Sequence, residues 1–506
     1  MLNKGLKLGI LENVFVYHYG SQTLSKEKLE LEKDLFCYLD LLSEYQKENP
    51  PKLVILMRVK NGMKFLPFTL PEILKIHNQI IILDTGSTDG TLKFLKEFSE
   101  KNPQHYIKII EKAFGNEKEE RDYLHKIARE EGFNWALVVD CDEIPELKFK
   151  ERLQYLMSNP IFPEVRGYIF RVLTFWRGTD KIRVDGVWGN LSALRLYKLT
   201  PNHYWFTTHP QGLHCISIEG KREYTKRYSN LKLLHYGYYT PELCQEKFKF
   251  YTEFDKYKNR GLIGTDNYEH LIDESNLNLI KYIPKTVGLF MNTYTKTFNL
   301  NFFNKIREYY SLFDEIKIGI DTKDYGLTKS LCERFKIDYT LIQFKDFADM
   351  RNRTKEGMKS DFLFFIDDDE IVDPKALMIL NEFSEPLIFQ FQNIVKNQTQ
   401  FLSYSTRYFP NLKEIRFSSP IHELIDVSLN KLKITPRFFN KTTILNIKES
   451  LGIERLTPII LQAYKENPED DEIKLNYAKY LMSLNKLDEA EKILNSIDNG
   501  FFLKFF

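Results

Sequence analysis

The chain is poor in cysteine and has no long apolar run. Its five cysteines, Cys37, Cys141, Cys215, Cys244 and Cys332, are odd in number and scattered. None stands in a C-x-x-C pair, which argues against a disulfide framework or a cysteine-held zinc site and reads as reduced thiols in a cytosolic protein. No hydrophobic stretch reaches membrane-spanning length, and the opening MLNKGLKLGILENVF lacks the apolar segment of a secretory leader. An excess of one charge is missing as well: 72 Lys and Arg face 70 Asp and Glu, a formal net charge of +2. That balance gives no reason to expect a nucleic-acid partner, and leaves only a local basic patch to meet an anionic membrane surface. The expected location is cytoplasmic, with peripheral membrane association as the alternative.

What is present is the material of a globular protein, 43% hydrophobic and 14% aromatic residues in a chain of 506, long enough for two or three domains. The stretch LVVDCDEIP, residues 137–145, is unusual. An apolar run suited to a buried strand ends in Asp140, Asp142 and Glu143. Like charges this close repel, so the cluster calls for a bound cation or a solvated turn, the latter with Pro145 opening a helix. The pattern then recurs. DFLFFIDDDEIVDP, residues 361–374, ends another apolar run in Asp367, Asp369 and Glu370. Upstream of each lies a second matching pair, IIILDTGSTDGTLKFL (80–95) and IKIGIDTKDYGLTKSL (316–331), and between the elements stand Arg121-Asp122 and Arg351-Asn352. Two copies in one order indicate a duplicated domain.

Short continuous apolar runs such as LVILMRV and IIILD suit strands buried on both faces, and they alternate with helical patterns such as GTLKFLKEFSEKN and RDYLHKIAREEGF. Alternation of this kind predicts an α/β fold with a mostly parallel sheet, whose ligands bind beyond the carboxyl ends of the strands. Asp84 and Asp140 are expected at such ends.

The segments MRVKNGMKFLP, ILDTGSTDGT, VVDCDEIPE and LLHYGYYTPE resemble the successive motifs of family 2 glycosyltransferases with the A-type nucleotide-diphospho-sugar transferase fold. IDTKDYGLT, DFADMRNRT, FFIDDDEIVDP and RYFPNLKEIRFSSPIHELI resemble the same family more loosely. The resemblance covers about residues 50–260 and 285–445. It implies two tandem modules, a first domain at 50–280 and a second at 281–448, after an N-terminal segment at 1–49 and before a helical tail at 449–506. In the N-terminal segment VFVYHYGSQTL echoes LKLLHYGYYTP and looks like the close of a further module, followed by a linker helix. In the tail, NPEDDEIKLNYAKYLMSLNKLDEAEKILNSI is similar to one tetratricopeptide repeat, and GFFLKFF is an apolar end that could dock on the body, a membrane or a partner. A single repeat makes no solenoid, so a helical cap is the expectation.

A nucleotide-sugar carries its negative charge on a diphosphate that must leave, and a hard cation held by one or two carboxylates neutralises it. The resemblance therefore implies Mn²⁺ or Mg²⁺ on Asp142 and Asp369, with His235 as a further ligand or as a histidine satisfied in an aromatic cluster. It assigns Asp84, Asp89, Arg121 and Asp140, and in the second half Asp321, Arg351 and Asp367, to the nucleotide-sugar. Asp84 would accept from the base, Asp140 would face sugar or ribose, and Gly86 and Gly90 would permit the turn. Inverting members need a carboxylate to take the acceptor's proton. Glu423, in the His422-Glu423 pair after Arg407, is the candidate. The first half reads Leu213-His214-Cys215 at that place, so another acid such as Asp185 would have to serve. The implied function is transfer of a sugar, with inversion, from a nucleotide-diphospho-sugar to a hydroxyl of a glycan, lipid-linked or protein acceptor. One active domain beside a degenerate one, or a non-catalytic carbohydrate-binding scaffold, are the alternatives. A nucleotidyltransferase would ordinarily show a Gly- and Arg/Lys-rich phosphate loop where MRVKNGMKF stands.

Overall fold

LVILMRV becomes the strand β1, Leu53–Val59, with every residue but Arg58 buried, because apolar side chains on both faces need cover on both sides. The structure, a computed structural model, describes residues 50–158, 165–201, 203–207, 215, 217–220, 225–255, 268–273, 275, 277–293, 300–323, 326–367, 370–395, 398–418, 425–448 and 453–497. The N-terminal echo, its linker helix and the GFFLKFF end lie outside these residues. The chain divides into two compact units between residues 281 and 282, apart from 228–230, which group with the second.

In the first unit β1 is followed by β2 Gln79–Asp84, β3 Tyr106–Glu111, β4 Trp135–Val138, β5 Glu143–Pro145, β6 Gly167–Thr174, β7 Ser192–Lys198 and β8 Lys226–His235. They form one sheet in the order β3-β2-β1-β4-β7-β6-β8-β5. Strands β3, β2, β1 and β4 run parallel, while β7 returns antiparallel between β4 and β6. The helices are α1 Leu66–Ile76, α2 Thr91–Lys101, α3 Glu117–Glu130, α4 Phe149–Ser158 and α5 Pro241–Phe254. Leu124 and Ala128 of α3 pack on Val54, Leu56, Ile81 and Val138. Pro145 opens no helix; Glu143–Pro145 pairs antiparallel with Leu233, Leu234 and His235.

The second unit has β9 Val287–Thr293, β10 Glu315–Asp321, β11 Asp338–Ile342, β12 Phe362–Phe365, β13 Glu370–Ile371, β14 Leu387–Val395, β15 Gln398–Pro410 and β16 Arg437–Lys448, with helices α6 Leu300–Tyr309, α7 Gly326–Phe335 and α8 Phe347–Lys355. Its sheet order is β11-β10-β9-β12-β15-β14-β16-β13. Numbered from each unit's first strand, both sheets read 3-2-1-4-7-6-8-5, so the duplication inferred from the motifs extends to the whole strand order. Each is a mixed sheet flanked by helices, parallel in its first four strands. Phenylalanines join the aliphatic core here: Phe290, Phe365, Phe409 and Phe417 pack together with Leu363, Ile415, Ile425 and Leu429.

Three helices close the chain, α9 Ile453–Glu466, α10 Asp471–Ser483 and α11 Leu487–Asn495, with Ala478, Leu481 and Ala490 buried between α10 and α11. Among the described residues no helix is long and apolar enough to cross a membrane, and Cys141, Cys215, Cys244 and Cys332 are free thiols.

Candidate active site

Asp84 is the last residue of β2, and Asp140 follows β4 by two residues. Since β2, β1 and β4 are parallel neighbours, both aspartates stand at carboxyl ends, about 10 Å apart at two strand spacings. Asp321 ends β10 and Asp367 follows β12 in the same way.

The three repelling carboxylates of the first unit are each matched by a cation. Nη2 of Arg121, from α3, lies 3.2 Å from Oδ1 of Asp140. Nη1 of Arg195, from β7, donates to Oδ2 of the same residue over 3.1 Å, and its Nη2 donates to Glu143 over 2.6 Å. Glu143 in turn accepts the Asp140 backbone N–H at 3.0 Å. Asp142 accepts from Nζ of Lys247 at 3.0 Å, with Nε2 of His235 at 3.3 Å. Burial alone would raise both aspartate carboxyls, but Arg121 and Arg195 override it at Asp140, and Lys247 and His235 at Asp142, so both stay well below the usual carboxylate range. At Glu143 burial and the nearby aspartates win over Arg195, and its carboxyl is raised.

The second unit repeats this arrangement. Arg351, from α8, donates to both oxygens of Asp367 at 2.8 and 2.7 Å. Arg407, from β15, donates to Glu370 over 2.7 Å and lies 3.8 Å from Asp367, while Glu370 accepts the Asp367 N–H at 2.9 Å. Asp369 and Glu423 lie outside the described residues. The strand register pairs Asn446 with Glu370 where His235 pairs with Glu143, so asparagine holds the histidine's place in the second sheet.

His235 is held from both sides: Oγ1 of Thr174 is 3.2 Å from its Nδ1, and its ring meets Tyr238 edge-on at 5.5 Å. Both readings of this histidine, a packed aromatic neighbour and a polar group turned to Asp142, describe it. Arg121 is buried and also bonds Glu117 at 2.8 Å.

Asp84 accepts the backbone N–H groups of Gly86 and Ser87 with Oδ1, at 3.0 and 2.9 Å, and its Oδ2 is buried with no hydrogen-bond partner. Gly86 and Gly90 both take left-handed φ, 93° and 92°, as the GSTDGT turn requires. The oxygens of Asp89 accept from the Met63 and Thr91 backbones and the Thr91 hydroxyl, stapling this turn to the loop after β1. Asp321 accepts weakly from the backbones of Lys323 and Phe344. Asp185 is bound by Nε and Nη2 of Arg183, at 2.9 and 2.7 Å, and by the Asn278 backbone. Burial would raise its carboxyl, but these hydrogen bonds lower it, which weakens it as a proton acceptor.

Sequence reading missed Arg195, Arg407 and Lys247 as members of the site. Among the described residues no three His, Cys, Asp or Glu side chains gather in a metal-holding geometry. What does converge is Asp142, His235 and a lysine, around Gly237: a Cβ there would stand 2.6 Å from Oδ2 of Asp142, 2.6 Å from Nε2 of His235 and 2.7 Å from Nζ of Lys247. The glycine leaves open a small cradle with an oxygen and a nitrogen ligand facing into it. A cavity of about 440 Å³ lined by Leu53, His77, Gln79 and Lys150 opens at the other end of β1 and β2, away from the carboxylates.

Residues 460–500 match the tetratricopeptide repeat family model. No curated protein matches the sequence. Among solved structures, S. aureus TarS 1-349 in complex with UDP-GlcNAc is 20% identical over 25% of this chain and 35% of that one, with a TM-score of 0.19. The mannosyltransferase PcManGT from Pyrobaculum calidifontis, in complex with GDP-Man and Mn²⁺, is 15% identical over 28% and 45%, with a TM-score of 0.20. A 4-diphosphocytidyl-2C-methyl-D-erythritol synthase is 11% identical over 31% and 89%, with a TM-score of 0.24. The chain thus spans about a third of the TarS fragment, and function has to be argued from the site.

Proposed function

We propose that the chain is a glycosyltransferase that moves a sugar, with inversion, from a nucleotide-diphospho-sugar to an acceptor hydroxyl, with a donor site at the carboxyl ends of the central strands in each unit. One observation carries the reading: the same Arg-Asp-Arg-Glu constellation is built twice, at equivalent points of two sheets with one strand order. D-x-D-E in both units and GSTDGT in the first, motifs that resemble family 2 glycosyltransferases, stand at those strand ends.

In the first unit the residues divide the work. The unpartnered oxygen of Asp84 is an acceptor for a nucleotide N–H, because a buried polar atom left unpaired gains most from a ligand that supplies the missing donor. Arg121 and Arg195 hold Asp140 ionised and oriented toward the sugar, its side chain still 26% exposed. Asp142 and His235 would hold Mn²⁺ or Mg²⁺ in the Gly237 cradle, and the bound ion would supply the charge neutralisation that lets the diphosphate leave. Asp89 acts through the turn that it staples. In the second unit Asp321, Arg351, Asp367 and Asp369 take the corresponding places, and Glu423 is the proton acceptor. Asp185 would serve the first unit only by giving up Arg183 and Asn278. The acceptor is a glycan, a lipid-linked sugar or a protein.

The test is a panel of UDP- and GDP-sugars assayed for Mn²⁺-dependent hydrolysis, which proceeds without the acceptor. Turnover of one donor by the intact chain, lost in Asp142→Asn with Asp369→Asn, is expected. Binding of no donor, or turnover unchanged in that double variant, would overturn the reading.

A further inference from the structure

We infer that Lys247 is the resident counter-cation of Asp142, and that the metal enters the first donor site only by displacing its ammonium. This rests on the reading that Asp142 and His235 are the metal's ligands.

The geometry is that of two cations competing for one carboxylate oxygen. Lys247 projects from α5, whose start is set by Thr240 accepting the Leu243 N–H and by Pro241 in the first turn. Its Nζ lies 3.0 Å from Oδ2 of Asp142, the oxygen that His235 also approaches. All three atoms surround the point that Gly237 leaves empty, at 2.6 to 2.7 Å. A divalent ion seated between Asp142 and His235 would meet the ammonium within a few ångströms, in a site where Asp142 is 12% and Lys247 26% exposed and water screens weakly. In the same position the lysine lies over the Tyr238 ring at 5.0 Å, which holds its charge near the cradle.

The arrangement answers how three carboxylates stay together before any ion arrives. Arg121 and Arg195 neutralise Asp140 and Glu143 from within, and Lys247 does so for Asp142. The consequence is weak metal binding by the free protein. The diphosphate of a donor offers the displaced ammonium a new partner, so metal and donor should bind together more readily than metal alone. In the second unit Asn446 stands at the register position of His235.

The experiment is calorimetric titration of Mn²⁺ alone into the full chain, in an Asp369→Asn background so that the first site is read. Lys247→Met and Lys247→Gln should bind Mn²⁺ on the order of tenfold more tightly than the parent, since they keep the ligands and remove the competing charge. Lys247→Arg should stay weak, and Asp142→Asn should abolish the signal; far-ultraviolet circular dichroism checks each fold. If neither neutral variant binds more tightly, or if Lys247→Arg gains as much as Lys247→Met, the inference falls while the metal reading stands. If Asp142→Asn leaves Mn²⁺ affinity unchanged, the metal reading falls with it.

Discussion

Arg195 donates to Glu143 across 2.6 Å with both side chains nearly withdrawn from water, 11% and 3% exposed. The same guanidinium holds Asp140; Arg407 likewise donates to Glu370, and lies 3.8 Å from Asp367. A rigid planar fork with several donors is pre-organised to bridge two carboxylates, and this lets acidic residues crowd a strand end without unfolding it.

Arg195→Met and Arg407→Met should each destabilise their own unit by about 3 to 5 kcal/mol, because a buried pair broken from one side leaves a charge uncompensated. Arg195→Lys should lose most of the same stability. Denaturant unfolding followed unit by unit checks this, and a loss below about 1 kcal/mol would mean the bridge is not structural.

Asp142→Asn should remove metal-dependent donor binding. Repulsion within D-x-D-E alone would predict a more stable metal-free protein. The structure reverses that sign, because Lys247 loses its partner. A destabilisation of about 1 to 3 kcal/mol is expected in a thermal melt without metal.

Gly237→Ala should fill the cradle. Its methyl would meet Asp142, His235 and Lys247 closer than any real contact allows. The side chains can swing aside, so the fold should survive at a cost of about 1 to 3 kcal/mol. Mn²⁺ and donor affinity should drop sharply, as read by calorimetry.

Asp84→Asn keeps an oxygen for the Gly86 and Ser87 amides and removes the charge of a buried oxygen with no partner. Stability should be unchanged or higher while donor affinity falls about tenfold, the size of one lost hydrogen bond to a charged group. A melt and a titration on the same sample separate the two effects.

Labour between the units is tested by Asp369→Asn and Glu423→Gln against Asp142→Asn. If both units transfer sugar, each set removes part of the activity once the acceptor is known. Loss of all transfer with Asp142→Asn and none with the others would make the second unit a degenerate partner, in keeping with Asn446 at the histidine's register position.

The strands that end at Asp84 and Asp321, and those that stop two residues before Asp140 and Asp367, were legible in the sequence, because a continuous apolar run closed by a carboxylate is local information and occurred twice in one order. The turn glycines Gly86 and Gly90 were legible for the same reason. What each carboxylate bonds within the fold was not: the oxygens of Asp89 accept from the Thr91 turn and those of Asp185 from Arg183. Nor were the partners of the acidic cluster. Arg195 reaches Asp140 across 55 positions because β7 returns antiparallel beside β4, and Lys247 reaches Asp142 across 105 because β8 and α5 close over the turn. Local pattern places charges on strand ends; which cation neutralises each is settled by sheet order, and that order is a property of the folded chain.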